Sequence, residues 1–170
     1  KNLDDNIRNK SNTIMKKLNL LLLLIFSVIS LNISAHDFEA VNSDGKTIYY
    51  NITSNDNLTV EVTCKGSKYN EYSDEYSGSI NIPSSVFFNG KTYSVTSIGA
   101  SVFRGCNSLM SIKIPANVMS IGSYAFYECS SLYIIYNNSD LPLKIDMSGA
   151  YGYIAYYAKL IVDKNGNKTY

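Results

Sequence analysis

The chain has 170 residues, with 15 Lys/Arg against 14 Asp/Glu, one His, three Cys and no Trp, for a formal net charge of +1. From Asp37 onward the balance is ten basic to twelve acidic residues, net −2, and no basic stripe or Lys/Arg-rich amphipathic segment occurs. That excludes an electrostatic nucleic-acid surface and a membrane-surface helix, and the odd cysteine count excludes a fully paired disulfide framework.

Residues 1–14, KNLDDNIRNKSNTI, are polar and aperiodic. They are expected to be an upstream extension outside the fold. Residues 15–35 begin with Met15-Lys16-Lys17, continue as an apolar run from Leu18 to Leu31, and end in Ile33-Ser34-Ala35. A charged start, an apolar middle and a small residue at the end make a secretory signal peptide, with cleavage expected after Ala35. A membrane span needs about 20 mostly apolar residues. This run is shorter and is broken by Asn19, Ser27 and Ser30, so no transmembrane anchor is expected after cleavage. No Cys follows it that would take a lipid.

Residues 36–78 read as a β-hairpin N-terminal cap region. Thr47–Thr53 alternates with Ile48, Tyr50 and Ile52 on one face; Leu58–Thr63 alternates with Leu58, Val60 and Val62 aligned; Ser54-Asn55-Asp56-Asn57 between them is turn chemistry. Residues 65–78, KGSKYNEYSDEYSG, are polar, Tyr-rich and aperiodic, and are expected to be a surface loop.

Residues 79–140 are repetitive. The segments 95–117, VTSIGASVFRGCNSLMSIKIPAN, and 118–140, VMSIGSYAFYECSSLYIIYNNSD, share nine of 23 positions without a gap. Ahead of them, Ser79-Ile80-Asn81-Ile82-Pro83 matches Ser111-Ile112-Lys113-Ile114-Pro115 as a half-repeat, followed by a hairpin signal at Asn89-Gly90. A fixed period of 20–29 residues with Leu/Ile at regular offsets is the signature of a leucine-rich solenoid, whose coils bury their apolar stripe only by stacking. Phe103 and Phe126 are expected to stack in the core, and Cys106 and Cys129 to form a ladder of buried free thiols. Gly99 and Gly122 are expected where each strand passes into a short helical segment and a Cβ is unwelcome. Past Asp140 the 23-residue match is lost. Residues 141–170 read as a C-terminal cap or last degenerate coil, with a helical turn leading into a strand over 150–162, a turn at Asp163–Asn167, and a returning strand at Lys168–Tyr170.

The string SIG-x-x-x-F-x-x-C-x-S-L, present twice and followed in the first copy by SIKIP, resembles the BspA-like leucine-rich repeat. So does the lead-in IPSSVFFNGKTYSVTSIG. The resemblance implies a mostly β fold, a short solenoid of about two full 23-residue repeats between the two caps. It implies a secreted or cell-surface location and an adhesin-like module that binds extracellular or host proteins, without catalysis.

The residues themselves select no chemistry. His36 stands next to the expected mature N-terminus, a place that is usually mobile. No nucleophile, metal or phosphate-loop motif occurs, and no cofactor or metal is expected. Asp163-x-Asn165-x-Asn167 has Gly166 at the wrong offset for a calcium loop and lacks the distal Glu. Asn51, Asn57, Asn137 and Asn167 begin glycosylation acceptors that matter only in a glycosylating secretory route. Partner-binding residues are expected at outward positions. Lys113 and Tyr136 lie on the coil strands, Tyr133 beside them, and Tyr124 and Tyr127 on the turn segment. An alternative is a structural or glycan-binding surface protein in which Tyr69, Tyr72 and Tyr76 stack on sugars.

Overall fold

The computed structural model describes residues 15, 35–68, 71, 75–145 and 157–170. The expected upstream extension, nearly all of the signal peptide, Tyr69, Tyr72 and residues 146–156 lie outside the described residues. The strands are β1 (Phe38–Val41), β2 (Thr47–Ser54), β3 (Thr59–Thr63), β4 (Gly78–Asn81), β5 (Ser85–Phe88), β6 (Lys91–Ile98), β7 (Leu109–Ile114), β8 (Ser120–Ile121), β9 (Ile134–Asn137), β10 (Leu160–Asp163) and β11 (Lys168–Thr169). They form two sheets. One runs β1-β2-β3-β6-β5 with β8 also paired to β6, the other β11-β10-β9-β7-β4.

Within each sheet, strands from successive coils are parallel. β3 lies on β6 and β6 on β8; β4 lies on β7, β7 on β9 and β9 on β10. Ile80, Ile112, Ile135 and Ile161 therefore form one inward row, all of them buried. The half-repeat register read from the sequence is the register observed, with Ser79 opposite Ser111 and Ile80 opposite Ile112. Antiparallel hairpins close both ends: β1 on β2 and β2 on β3 at the start, β10 on β11 at the finish. The β5–β6 hairpin turns at Asn89 (φ 47°) and Gly90 (φ 76°), two consecutive left-handed residues as a two-residue turn of this twist requires. Phe88 stacks on Phe38 with ring centroids 4.0 Å apart, joining this hairpin to the N-terminal cap.

Three features differ from the sequence reading. First, β3 is both a cap strand and, paired in parallel with β6, the first rung of one sheet, as β4 is of the other. The sequence leading into β4 does not follow the 23-residue motif, yet Tyr76 occupies the aromatic position: its ring lies 4.7 Å from Phe103, which in turn stacks on Phe126 at 5.0 Å with planes 1° apart. Tyr76 is 1% exposed, not on a surface loop. Its hydroxyl donates to the Thr63 carbonyl and accepts from the Tyr49 N–H, which pulls Tyr49 into the core beside Tyr50 and breaks the simple alternation of β2.

Second, the segments after β6 and β8 are turns rather than short helices. Equivalent positions 101 and 124 (φ 58° and 60°) and 105 and 128 (φ 73° and 62°) are left-handed in both copies, which no helix tolerates. The amides of Ser101, Phe103 and Gly105 instead donate to the carbonyls of Ser123, Ala125 and Tyr127 in the next coil. Third, His36 is held rather than loose: its Nδ1 lies 2.9 Å from the Lys65 carbonyl and its ring meets Tyr49 edge-on at 4.7 Å.

Gly122 is required by close approach. A Cβ there would lie 2.3 Å from the Ala100 nitrogen and 2.6 Å from its Cα, backbone atoms that cannot swing aside. Gly122→Ala is expected to lower unfolding stability by roughly 2–4 kcal/mol. Gly105→Ala, left-handed but in open space, should cost about 1–2 kcal/mol. Thermal unfolding of the two variants side by side checks the ordering.

Candidate functional site

The strand that each coil contributes to the second sheet, together with the residues leading into it, has one repeated pattern. Leu109, Leu132 and Ala158 are buried; Met110, Tyr133 and Lys159 are exposed; Ile112, Ile135 and Ile161 are buried again. The Tyr133 amide donates to the Met110 carbonyl, and the Lys159 amide to the Tyr133 carbonyl, so the exposed residues stand in a row across three coils. Two further outward rows follow from the pairing. One is Ser79, Ser111, Ile134 and Leu160; the other is Asn81, Lys113, Tyr136, Val162 and Lys168. Along both, the face changes character. It starts polar, with Ser111 Oγ donating to Ser79 Oγ at 2.8 Å, and becomes apolar and aromatic over β9 and β10. Tyr133 is 61% exposed, Met110 55% and Tyr136 42%.

The five residues expected to bind a partner thus divide. Lys113, Tyr133 and Tyr136 share the outer face of the second sheet. Tyr124 and Tyr127 lie on the turn segment and are engaged with each other and with the preceding coil. Their rings meet at 80° with centroids 5.6 Å apart. The Arg104 guanidinium sits 5.0 Å over the Tyr127 ring, and its Nε is 3.5 Å from Glu128 Oε2. This cluster ties coil to coil.

Sequence reasoning missed Leu160, Val162 and Lys159. Their signal was present: Ala158-Lys159-Leu160-Ile161-Val162 aligns with Leu132-Tyr133-Ile134-Ile135-Tyr136 at a spacing of 26 rather than 23, and a fixed period passes over it.

The remaining chemical candidates are occupied structurally. The Asp163 carboxylate accepts the amides of Asn165 and Asn167 and the Asn167 side-chain amide at 2.8–2.9 Å. These bonds hold its carboxyl below the usual range, and it shapes the β10–β11 turn rather than a cation site. No His/Cys/Asp/Glu group among the described residues is arranged to hold a metal. Asn137 is buried, donating to the Leu141 carbonyl and accepting from the Ser139 amide and hydroxyl, so this glycosylation acceptor is closed in the folded chain. Of the residues expected to stack on sugars, Tyr76 lies in the core and is closed to a glycan; Tyr69 and Tyr72 lie outside the described residues. A cavity of about 540 Å³ opens between the first two coils, lined by Thr63, Cys64, Lys68 and Ser101 among others. Burial, with the Glu75 charge adding to it, pushes the Cys64 thiol up, away from the reactive thiolate.

The stacked parallel coils, the inward Leu/Ile rows and the aromatic ladder define a leucine-rich repeat solenoid. Residues 91–148 match the family model described as the BspA type leucine rich repeat region (6 copies). A leucine-rich repeat protein from Bacteroides ovatus, known from its crystal structure, is 34% identical to this chain and superposes with a TM-score of 0.52, covering 75% of this chain and 29% of its own. Residues 91–148 are thus a leucine-rich repeat region of the BspA type. Two further crystal structures are similar. One is a leucine rich cell surface protein from Faecalibacterium prausnitzii (22% identity, TM-score 0.44, 74% of this chain and 32% of that one). The other is a leucine-rich repeat protein from Bacteroides capillosus (24%, 0.43, 68% and 93%). No curated protein matches the chain. The chain spans less than a third of the first two structures' lengths.

Glu75, next to the core residue Tyr76, offers a pH handle on the N-terminal end of the solenoid. Burial raises its carboxyl to about 7, against the opposing pull of the Lys65 amide and charge. A carboxyl that binds its proton more tightly when folded stabilises the fold at low pH, and that contribution fades as pH rises from the ordinary carboxylate range through about 7. Urea unfolding between pH 5 and 8 is expected to show declining stability across that window, with the decline reduced in Glu75→Gln.

Proposed function

We propose that this chain is an exported protein-binding module that presents the outer face of its second sheet to an extracellular protein, in the manner of an adhesin, and carries out no catalysis. The observation that carries the reading is the change along the outward rows. The inward row Ile80, Ile112, Ile135 and Ile161 keeps one residue from coil to coil, as stacking demands. The outward rows pass from Ser79, Asn81 and Ser111 to Tyr133, Ile134 and Tyr136. Stability does not ask for exposed aromatic side chains there, whereas buried tyrosines anchor recognition surfaces. The signal-like segment 15–35 supports export and a secreted or cell-surface location.

The test is to expose the chain to a panel of immobilised extracellular matrix proteins and measure saturable binding. A Tyr133→Ala/Tyr136→Ala double variant is expected to lose affinity by roughly tenfold or more. Its thermal stability should stay within about 1 kcal/mol of the parent, because both side chains are exposed. Binding that survives this variant would rule out the face. Secretion of the full coding sequence should yield a mature chain whose first residue, by N-terminal sequencing, is His36.

A further inference from the structure

The charge on this same face names a partner chemistry. Outward on the strands stand Lys113 and Lys168, on either side of Tyr136 and Val162 in the row that begins at Asn81, and Lys159 follows Tyr133 in the row beside it. All three lysines are exposed. No outward position of the described strands in this sheet is Asp or Glu. The described carboxylates in this half of the chain are already engaged elsewhere. Glu128 pairs with Arg104, Asp140 with Lys164, and Asp163 is bound into the β10–β11 turn. The face is therefore cationic at its margins and apolar between them, although residues 37–170 as a whole are net acidic.

Resting on the binding reading above, we propose that the partner is an acidic polypeptide segment that lies extended across the strands, with carboxylates meeting Lys113 and Lys168 and an apolar side chain seated between them on Tyr136 and Val162. Neighbouring strands are about 4.8 Å apart, so the three steps from β7 to β11 span roughly 14 Å. An extended chain advances about 3.3 Å per residue and points alternate side chains the same way. The matching pattern is acid-x-apolar-x-acid, with the two acids four residues apart. A free amine over each carboxylate gives direction and on-rate more than affinity, while the apolar centre supplies the anchor.

The experiment is selection of a random dodecapeptide display library on the immobilised full chain, on Lys113→Glu/Lys168→Glu, and on Tyr133→Ala/Tyr136→Ala. The expected result is enrichment of peptides with acids four apart around an apolar residue. Synthetic versions should bind the charge-reversed variant roughly threefold to thirtyfold more weakly and lose affinity as salt is raised. Enriched peptides that are neutral or basic, yet lost in the Tyr133/Tyr136 variant, would overturn the acidic partner and leave the binding face standing. Peptides indifferent to both variants, or no enrichment at all, would overturn both. Two other results would also overturn the proposal. One is heparin retention that depends on Lys113 and Lys168 without peptide enrichment, which would point to an anionic glycan. The other is dimerisation of the chain abolished by the charge reversal, which would point to a second copy.

Discussion

Everything in this molecule depends on how closely one coil can lie on the next. The spacing is fixed by the hydrogen-bond ladder between parallel strands, and the turn segments have to follow it without a ladder of their own. They do so by donating amides directly to the next coil's carbonyls, from residues that repeat the same left-handed kinks. Gly122 lets the backbones touch at Ala100, and Phe103 and Phe126 fill the space between with parallel rings. Remove the close approach and the inward rows lose contact together, because a single coil cannot bury its own apolar stripe.

That constraint explains the division of labour between shared and unshared residues. The nine positions common to the two copies are dominated by groups that stacking requires: Val95 and Val118, Ile98 and Ile121, Leu109 and Leu132 are all buried. Outward positions answer to no such rule. Met110, Tyr133 and Lys159 follow one another in a row, and Ser111, Ile134 and Leu160 in the next. A scaffold that dictates one side and leaves the other open is suited to recognition, since the contact surface can change without disturbing the core.

The solenoid was legible in the sequence because its signal is local and periodic: the gapless repeat, the Asn89-Gly90 turn and the SIKIP echo at Ser79–Pro83 each needed only a few neighbouring residues. What escaped was set by partners far along the chain. Tyr76 looked like one of several tyrosines in a polar loop, and only the stack beneath Phe103, 27 residues later in sequence, makes it core. Residues 158–162 carry the same inward and outward pattern as 132–136, hidden by three extra residues in the coil between. Of the five residues expected to bind a partner, Lys113 and Tyr136 fall together because strand pairing and alternation govern them, and Tyr133, exposed just before β9, stands in the row of Met110 and Lys159. Tyr124 and Tyr127 separate from them because the turn segment obeys cross-coil bonding instead, with Arg104 laid over Tyr127.

The stacked cysteines have a bearing on how the coils are held together. Cys106 and Cys129 occupy matching places in adjacent coils, both buried and neither in a disulfide. The Cys129 thiol donates to the Phe103 carbonyl at 2.8 Å, and burial pushes its ionisation far upward. A thiol kept protonated and out of reach takes little part in exchange with disulfides or oxidants. The two cysteines therefore serve the solenoid as small core groups, filling the space between coils beside the Phe103 and Phe126 rings rather than cross-linking them.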